Sequence, residues 1–350
     1  MSLIPARFAR TGHRQGLHLG LIVLALAILT LSMALAVSIG EIHIPLITTF
    51  KALGNALGVS EYPLDRIHES IIREYRLSRA LVAACCGAGL SLCGAILQAL
   101  LRNPLAEPYV LGISAGASTG AVAIMVLGAG GGAVGLSLGA FLGALGAFAV
   151  VLALSRGASS SPNRIILAGV AGSQLFNALT AWVISTSASA EQVRGIMFWL
   201  LGNLGGVRWP DVTLALSVVL PGFVICLLFA RALDAFTFGQ DAAAALGIPV
   251  GAVRLILFAI TALMTATMVS MVGAIGFVGL VIPHAARFIV GTAHVRLLPA
   301  SLLIGAIFMV LADIVSRVIL PHQSLPIGVV TALVGAPVFA LILYRARPPL

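Results

Sequence analysis

The stretch LLRNPLAEPYVLGISAGAS, Leu100–Ser118, lies between two long apolar runs and decides how the chain is read. It joins them with two prolines, an asparagine and the charged residues Arg102 and Glu107. A hairpin between membrane helices needs only a few polar residues, yet here the helix breakers reach into the start of the next apolar run. Pro104 and Pro108 remove amide donors and bias Asn103 and Glu107 away from helical backbone. Backbone interrupted at this depth must be buried in protein or line a water-filled path. The motif therefore predicts a broken, functional segment in place of an ordinary capped turn.

The surrounding sequence supplies the bundle. Of 350 residues, 60% are hydrophobic and 9% charged, whereas a soluble domain carries about 25% charged residues. Apolar runs of about 20 residues recur along the whole length, without the short alternating segments of a transmembrane barrel. The expectation is an all-α, polytopic membrane protein, a single transmembrane domain over residues 1–350. Ten spans are expected, near 17–39, 79–101, 108–127, 133–155, 164–186, 209–231, 253–272, 274–291, 297–319 and 326–344. Residues 40–78 form a polar insert with amphipathic helices, and Ser187–Val207 reads as a helix lying at the surface. Arg7, Arg10 and Arg14 precede the first run, and Ala34-Leu35-Ala36 mimics a signal-peptidase site. That run is long enough to span and is read as a retained helix.

The net charge of +9 is no nucleic-acid signature, because nineteen of the twenty basic residues are arginines scattered singly at the ends of apolar runs. Charges there anchor helix ends in lipid and set topology. With the N-terminus cytoplasmic, twelve basic residues fall inside and eight outside, so both termini are expected in the cytoplasm and the insert outside. Cys85, Cys86, Cys93 and Cys226 lie inside apolar runs without a CxxC pair and read as packing residues. The seven histidines show no i, i+4 pair, so no metal site is expected, and His284 reads as an interfacial structural residue. Gly135, Gly139 and Gly143 form a small-residue ridge suited to close helix packing.

The sequence carries no engine of its own. It lacks a GxxxxGK[ST] loop, and its acidic residues avoid the middle of the spans, with Asp313 and Glu107 near span ends. Energy is expected from another subunit. In the loop FGQDAAAALGIPVGAVR, Phe238–Arg254, Asp241 suits a helix N-terminus, the alanines favour a short helix, and Gly247 can end it. Asp241, Ala242, Ala243 and Gly247, within a coupling region 232–252, resemble the E-A-A-x-x-x-G pattern of ABC-transporter permeases with Asp for Glu.

From about Arg76 to Tyr344 the chain resembles the FecCD family, permeases that import ferric siderophores, haem and cobalamin. The resemblance rests on RLSR (76–79), RNPLAEPYVLGISAGA (102–117), ILAGVA (166–171) and FWLLGNLGG (198–206). It continues through DAAAALGIP (241–249), GAIGFVGLVIPHAAR (273–287), LADIVSR (311–317) and LPIGVVTALVGAPVFALIL (325–343). Ser78 departs from the usual R-L-P-R and puts the local helix start in question. The resemblance implies a transport subunit without catalytic residues or a bound cofactor, in a bacterial inner membrane. It also implies a second permease subunit, identical or sister, two ABC ATPase subunits that use ATP and magnesium, and a periplasmic binding protein. Arg76, Arg79 and Arg317 would meet acidic residues on that binding protein, with Asp313 one turn from Arg317 to orient it. Asn103 and Leu105 would help close the pathway on the cytoplasmic side, with Pro162 and Asn163 as a second constriction. A ferric siderophore is the expected cargo, with haem or cobalamin as alternatives. An ion-gradient-driven carrier lacks its midplane carboxylates here, and a membrane enzyme lacks its polar cluster.

Overall fold

Helices that are apolar on every side gain nothing from burying one face against lipid, so their arrangement must come from close approach and polar pairing. The structure, a computed structural model, describes residues 5–40, 44–56, 62, 65–128, 133–155, 162–320 and 323–345. Among these residues it is helical, with one isolated bridge between Leu320 and Gln323. The helices are α1 (Pro5–Ser38), α2 (Leu46–Ala56), α3 (Arg66–Ser70), α4 (Ser78–Leu100), α5 (Ile113–Leu127), α6 (Ala133–Ser155), α7 (Pro162–Ser187) and α8 (Ala190–Leu200). They continue as α9 (Trp209–Leu228), α10 (Ala230–Thr237), α11 (Gln240–Ala245), α12 (Val250–Val272), α13 (Val278–Val290), α14 (His294–Val318) and α15 (Ile327–Arg345).

Seven helical runs among the described residues are long and apolar enough to cross a membrane. Of the remaining expected spans, those near 108–127 and 274–291 appear as the shorter apolar helices Ile113–Leu127 and Val278–Val290, and that near 326–344 is the 19-residue α15. Two of these are short because backbone at their starts is not α-helical. Residues 101–112 break before α5, and residues 273–277 break between α12 and α13.

α4 is the axis of the bundle, with almost every residue buried. Its small residues let neighbouring backbones touch it. A Cβ on Gly87 would fall 2.0 Å from Gly305 O in α14, and one on Gly94 would fall 1.9 Å from Gly279 O in α13. Ser91 Oγ donates to Ser301 O at 2.7 Å, which adds a polar stitch to the α4–α14 crossing. The expected glycine ridge of α6 is used in the same way, with Gly139 and Gly143 meeting Gly120 and Gly116 of α5.

The insert contains α2 and α3, and the surface helix expected after Ser187 is α8, whose N-terminus carries a Ser189–Gln192 capping box. The helix expected to start at residue 79 begins earlier. Arg66–Ser70 runs through a π-helical stretch, Ile71–Leu77, directly into α4. Serine at 78 keeps the amide that proline lacks, and its hydroxyl donates to Glu74 O at 2.9 Å.

Substitution should separate tight crossings from lipid-facing glycines. Gly94→Ala is expected to lower stability by about 1–3 kcal/mol, seen as a clear fall in the melting temperature of the purified protein. Gly146→Ala, which would meet nothing within 4 Å, should be neutral or stabilising by up to about 1 kcal/mol.

Candidate functional site

The broken segment starts where α4 stops. Arg102 takes a left-handed conformation (φ 48°) and Asn103 N–H donates to Gln98 O at 3.2 Å, a helix-ending arrangement in which glycine is the usual residue. Asn103 Oδ1 accepts from Leu105 N–H at 2.9 Å, closing a tight turn that leaves Leu105 exposed. The chain then returns into the bundle. Pro108 lies against Gly279, which also touches Leu90 and Gly94 of α4. A 3₁₀ turn, Pro108–Leu111, packs on Gly169 of α7, and Gly112 (φ 72°) starts α5. Glu107 therefore sits beside the middle of α4. The sequence placed it near a span end, because it could not show the loop folding back.

At this level the segment meets the second break. Tyr109 Oη accepts from Ile275 N–H. Phe277 is left-handed (φ 70°), a conformation costing roughly 1–2 kcal/mol outside glycine. Nearby, His284 Nε2 contacts Pro104 O at 3.0 Å, Arg287 Nη1 donates to Gln98 Oε1 at 2.6 Å, and Gln98 Nε2 donates to Gly279 O at 3.3 Å. The second break is thus held by Tyr109 from the first, and the first by His284 of α13. His284 has the structural role expected of it. Gln98, Tyr109 and Arg287 were not singled out as site residues, although a glutamine inside an apolar helix is itself a signal.

At one end of α4 the structure brings Arg76, Arg79 and Arg317 together. Arg79 Nε and Nη2 each lie 2.8 Å from Asp313 Oδ1, and Arg317 Nε lies 3.1 Å from Asp313 Oδ2. Arg317 also donates to Ile39 O (2.7 Å) and Ala36 O (2.9 Å), while Arg76 donates to Val37 O (2.9 Å) and Ser38 O (2.7 Å). The last turn of α1 leaves carbonyls without helical partners, and two guanidinium groups cap them. Asp313 orients Arg317, as its spacing predicts, and binds Arg79 as well. These arginines line a cleft of about 320 Å³, with Arg208 on the exposed rim over the Tyr75 ring, 4.7 Å to its centroid. Four arginines line the cleft, and the buried carboxylate of Asp313 pairs with two of them, Arg79 and Arg317, so the cleft is electropositive.

The chain between α9 and α12 carries the alanine helix. α11 is bounded by Gly239 (φ 115°) and Gly247 (φ 80°), and Gly247 N–H donates to Ala244 O at 2.9 Å. Gly247 ends the helix as its sequence predicts, and Asp241 stands exposed in the first turn. Ala243 is fully buried within this chain, whereas Ala244, Ala245, Leu246 and Phe238 are exposed. Asp234 of α10 ties this region to the start of α14, its Oδ1 accepting from His294 N–H (2.9 Å) and contacting Nδ1 (2.6 Å). Pro162 and Asn163 form the first turn of α7, with Asn163 exposed.

Comparison with known proteins agrees with this architecture. The model of the FecCD transport family matches residues 27–345. An uncharacterized ABC transporter permease protein of Bacillus subtilis, YvrB, is 40% identical over 92% of this chain and 93% of its own. The vitamin B12 import system permease protein of Escherichia coli is 40% identical over 80% of this chain and 85% of its own. A solved chain from a metal-chelate type ABC transporter in an inward-facing conformation superposes with a TM-score of 0.82, at 30% identity, covering 93% of this chain and 99% of that one. The protein belongs to the FecCD transport family. It is a multi-pass permease subunit of an ABC importer, a transport component rather than an enzyme.

Removing the Asp313 charge should expose what it holds. Asp313→Asn leaves two guanidinium groups without their shared carboxylate and is expected to cost about 3–5 kcal/mol. A fall in melting temperature together with faster amide exchange in the last turn of α1 would be the measured result.

Proposed function

We propose that this chain imports a large metal chelate across a bacterial inner membrane, driven by ATP hydrolysed in two partner ATPase subunits. A second permease subunit, an identical copy in the simplest assembly, completes the pathway, and a soluble periplasmic binding protein delivers the cargo. Both termini then lie in the cytoplasm and residues 40–78 in the periplasm.

The observation that carries this reading is α11. A six-residue helix between two left-handed glycines, with Leu246 and Phe238 exposed beside it, is built to sit in a cleft on another protein. Asp241, Ala242, Ala243 and Gly247 form this stub, with contact made by its exposed side and Ala243 anchoring it from within. The electropositive cleft of Arg76, Arg79 and Arg317 supports docking of the binding protein at the opposite end, since guanidinium groups recognise carboxylates and steer encounter. Their donors are shared with Asp313 and α1, so a partner carboxylate adds to a preformed cluster. Asn103 and Leu105, beside a cleft of about 440 Å³ that also contains His284 and Arg287, form the cytoplasmic gate, with Pro162 and Asn163 as the second constriction.

Among chelates, the names of the E. coli and Halobacterium salinarum relatives, the latter a cobalamin import permease 38% identical over 81% of this chain, favour cobalamin over the ferric siderophore suggested by AEPYVLGIS. Vesicles containing the complete assembly, offered radiolabelled cobalamin or a radiolabelled ferric siderophore, should accumulate cobalamin only with ATP. Uptake driven by an ion gradient alone would overturn the reading. Uptake of the siderophore alone would reassign the cargo.

Two variants test the parts. Ala244→Trp, on the exposed side of α11, should lower uptake per ATP about tenfold while the isolated chain stays folded, since a misplaced contact of this size removes coupling. Arg208→Glu should weaken binding-protein association mainly through the on-rate and flatten its salt dependence, measured by surface plasmon resonance.

A further inference from the structure

The first turn of α14 has no cap of its own. Ala293, the residue before it, carries no side chain that accepts from the free amides of that turn. The acceptor comes from another helix. Asp234 Oδ1, on α10, accepts from His294 N–H at 2.9 Å and lies 2.6 Å from His294 Nδ1. A carboxylate oxygen only accepts, so Nδ1 carries a proton and donates as well. Both bonds thus end on one atom, and the imidazole that makes one of them is buried.

α10 is joined just as closely to α11. Two residues separate them, and one of these, Gly239, bonds to both helices. Its N–H donates to Phe236 O at 3.0 Å, and its carbonyl accepts from Ala243 N–H at 3.1 Å. The buried Ala243 belongs to the same apolar cluster as Leu233 and Phe236 of α10 and Leu298 of α14. Thr237, Gln98 and Arg287 line both a cleft of about 430 Å³ at Asp234 and His294 and the neighbouring one beside Asn103.

We propose that Asp234 and His294 are positioning residues of the coupling to ATP hydrolysis: their bonds fix the start of α14 to α10, so that a displacement of α11 by the ATPase subunits carries α14 with it. The proposal rests on the reading of α11 as the ATPase contact. Adjacency does not by itself couple two helices. Apolar contact between α10 and α14 has no direction and lets them slide, whereas hydrogen bonds hold only over a range of about 0.5 Å. The pair turns a sliding contact into a joint. Charge is not what the joint needs, because the amide oxygen of asparagine can accept both bonds.

The test uses the full chain in its assembled complex in lipid nanodiscs. Spin labels at Arg231→Cys on α10 and Val295→Cys on α14 are each paired with a reference label at Leu127→Cys on α5. All three positions are exposed, and the four native cysteines are buried. In the parent, ATP should shift both distances by about 2 Å. Asp234→Ala should keep the shift at Arg231 and lose the one at Val295. In vesicles it should lower uptake of radiolabelled cobalamin per ATP hydrolysed about tenfold. His294→Leu, which fills the space without a donor, should lose about half of the Val295 shift or more. Asp234→Asn should keep both shifts and stay within about threefold of the parent in uptake per ATP. A Val295 shift undiminished in Asp234→Ala, or Asp234→Asn as impaired as Asp234→Ala, would overturn the proposal. If Asp234→Ala fails to assemble, His294→Leu decides, an undiminished Val295 shift again overturning it. A parent in which ATP moves neither label would instead overturn the α11 reading, and the proposal with it. If the parent takes up no cobalamin, only the cargo assignment fails, and the distances still decide.

Discussion

An amide or carbonyl inside an apolar bundle must find a partner, because lipid offers none. Most of this chain meets that demand by staying helical. Two segments do not, 101–112 and 273–277, and the architecture around them follows from their need. They lie face to face, so that Tyr109 serves the Ile275 amide of the second break, while His284, on the helix after that break, reaches the Pro104 carbonyl of the first. Glycines at 94 and 279 bring α4 and α13 close enough for this exchange. The prolines of Leu100–Ser118 thus make sense only together with a stretch more than 160 positions away.

The same demand shapes the arginine cluster. The end of α1 exposes carbonyls, and Arg76 and Arg317 supply donors, with Asp313 balancing Arg79 and Arg317 from a fully buried position. A cluster of like charges held this way remains electropositive without being loose. Its geometry is fixed before any partner arrives, which limits the ordering cost of recognition. α14 carries Asp313 and Arg317 near one end and the His294 contact with Asp234 at the other. A helix of 25 residues spans roughly 37 Å, so the cluster and the α11 region are attached to one stiff element.

Much of this was legible in the sequence. Hydropathy and arginine placement located the helices, the turn chemistry of Gly247 located the end of α11, and the i, i+4 spacing of Asp313 and Arg317 announced their contact. What was not legible was long-range pairing. Arg79 meets Asp313 across 234 positions, and periodicity carries no information about which distant polar groups meet. The depth of Glu107 was misjudged for the same reason, since a span count assumes that each apolar run crosses without folding back. The orientation of Ala243 also escaped notice, because an alanine run has no pattern of polarity to mark its inner face.

The π-helical stretch Ile71–Leu77 has a consequence for how this chain can change over time. A π turn holds one residue more than an α turn. Deleting a single residue there would let the stretch wind as ordinary α-helix, with the helix on either side of it kept. One residue of spare length is thus stored where the insert joins the bundle, so the chain can lose it in a single genetic step and remain helical through the junction.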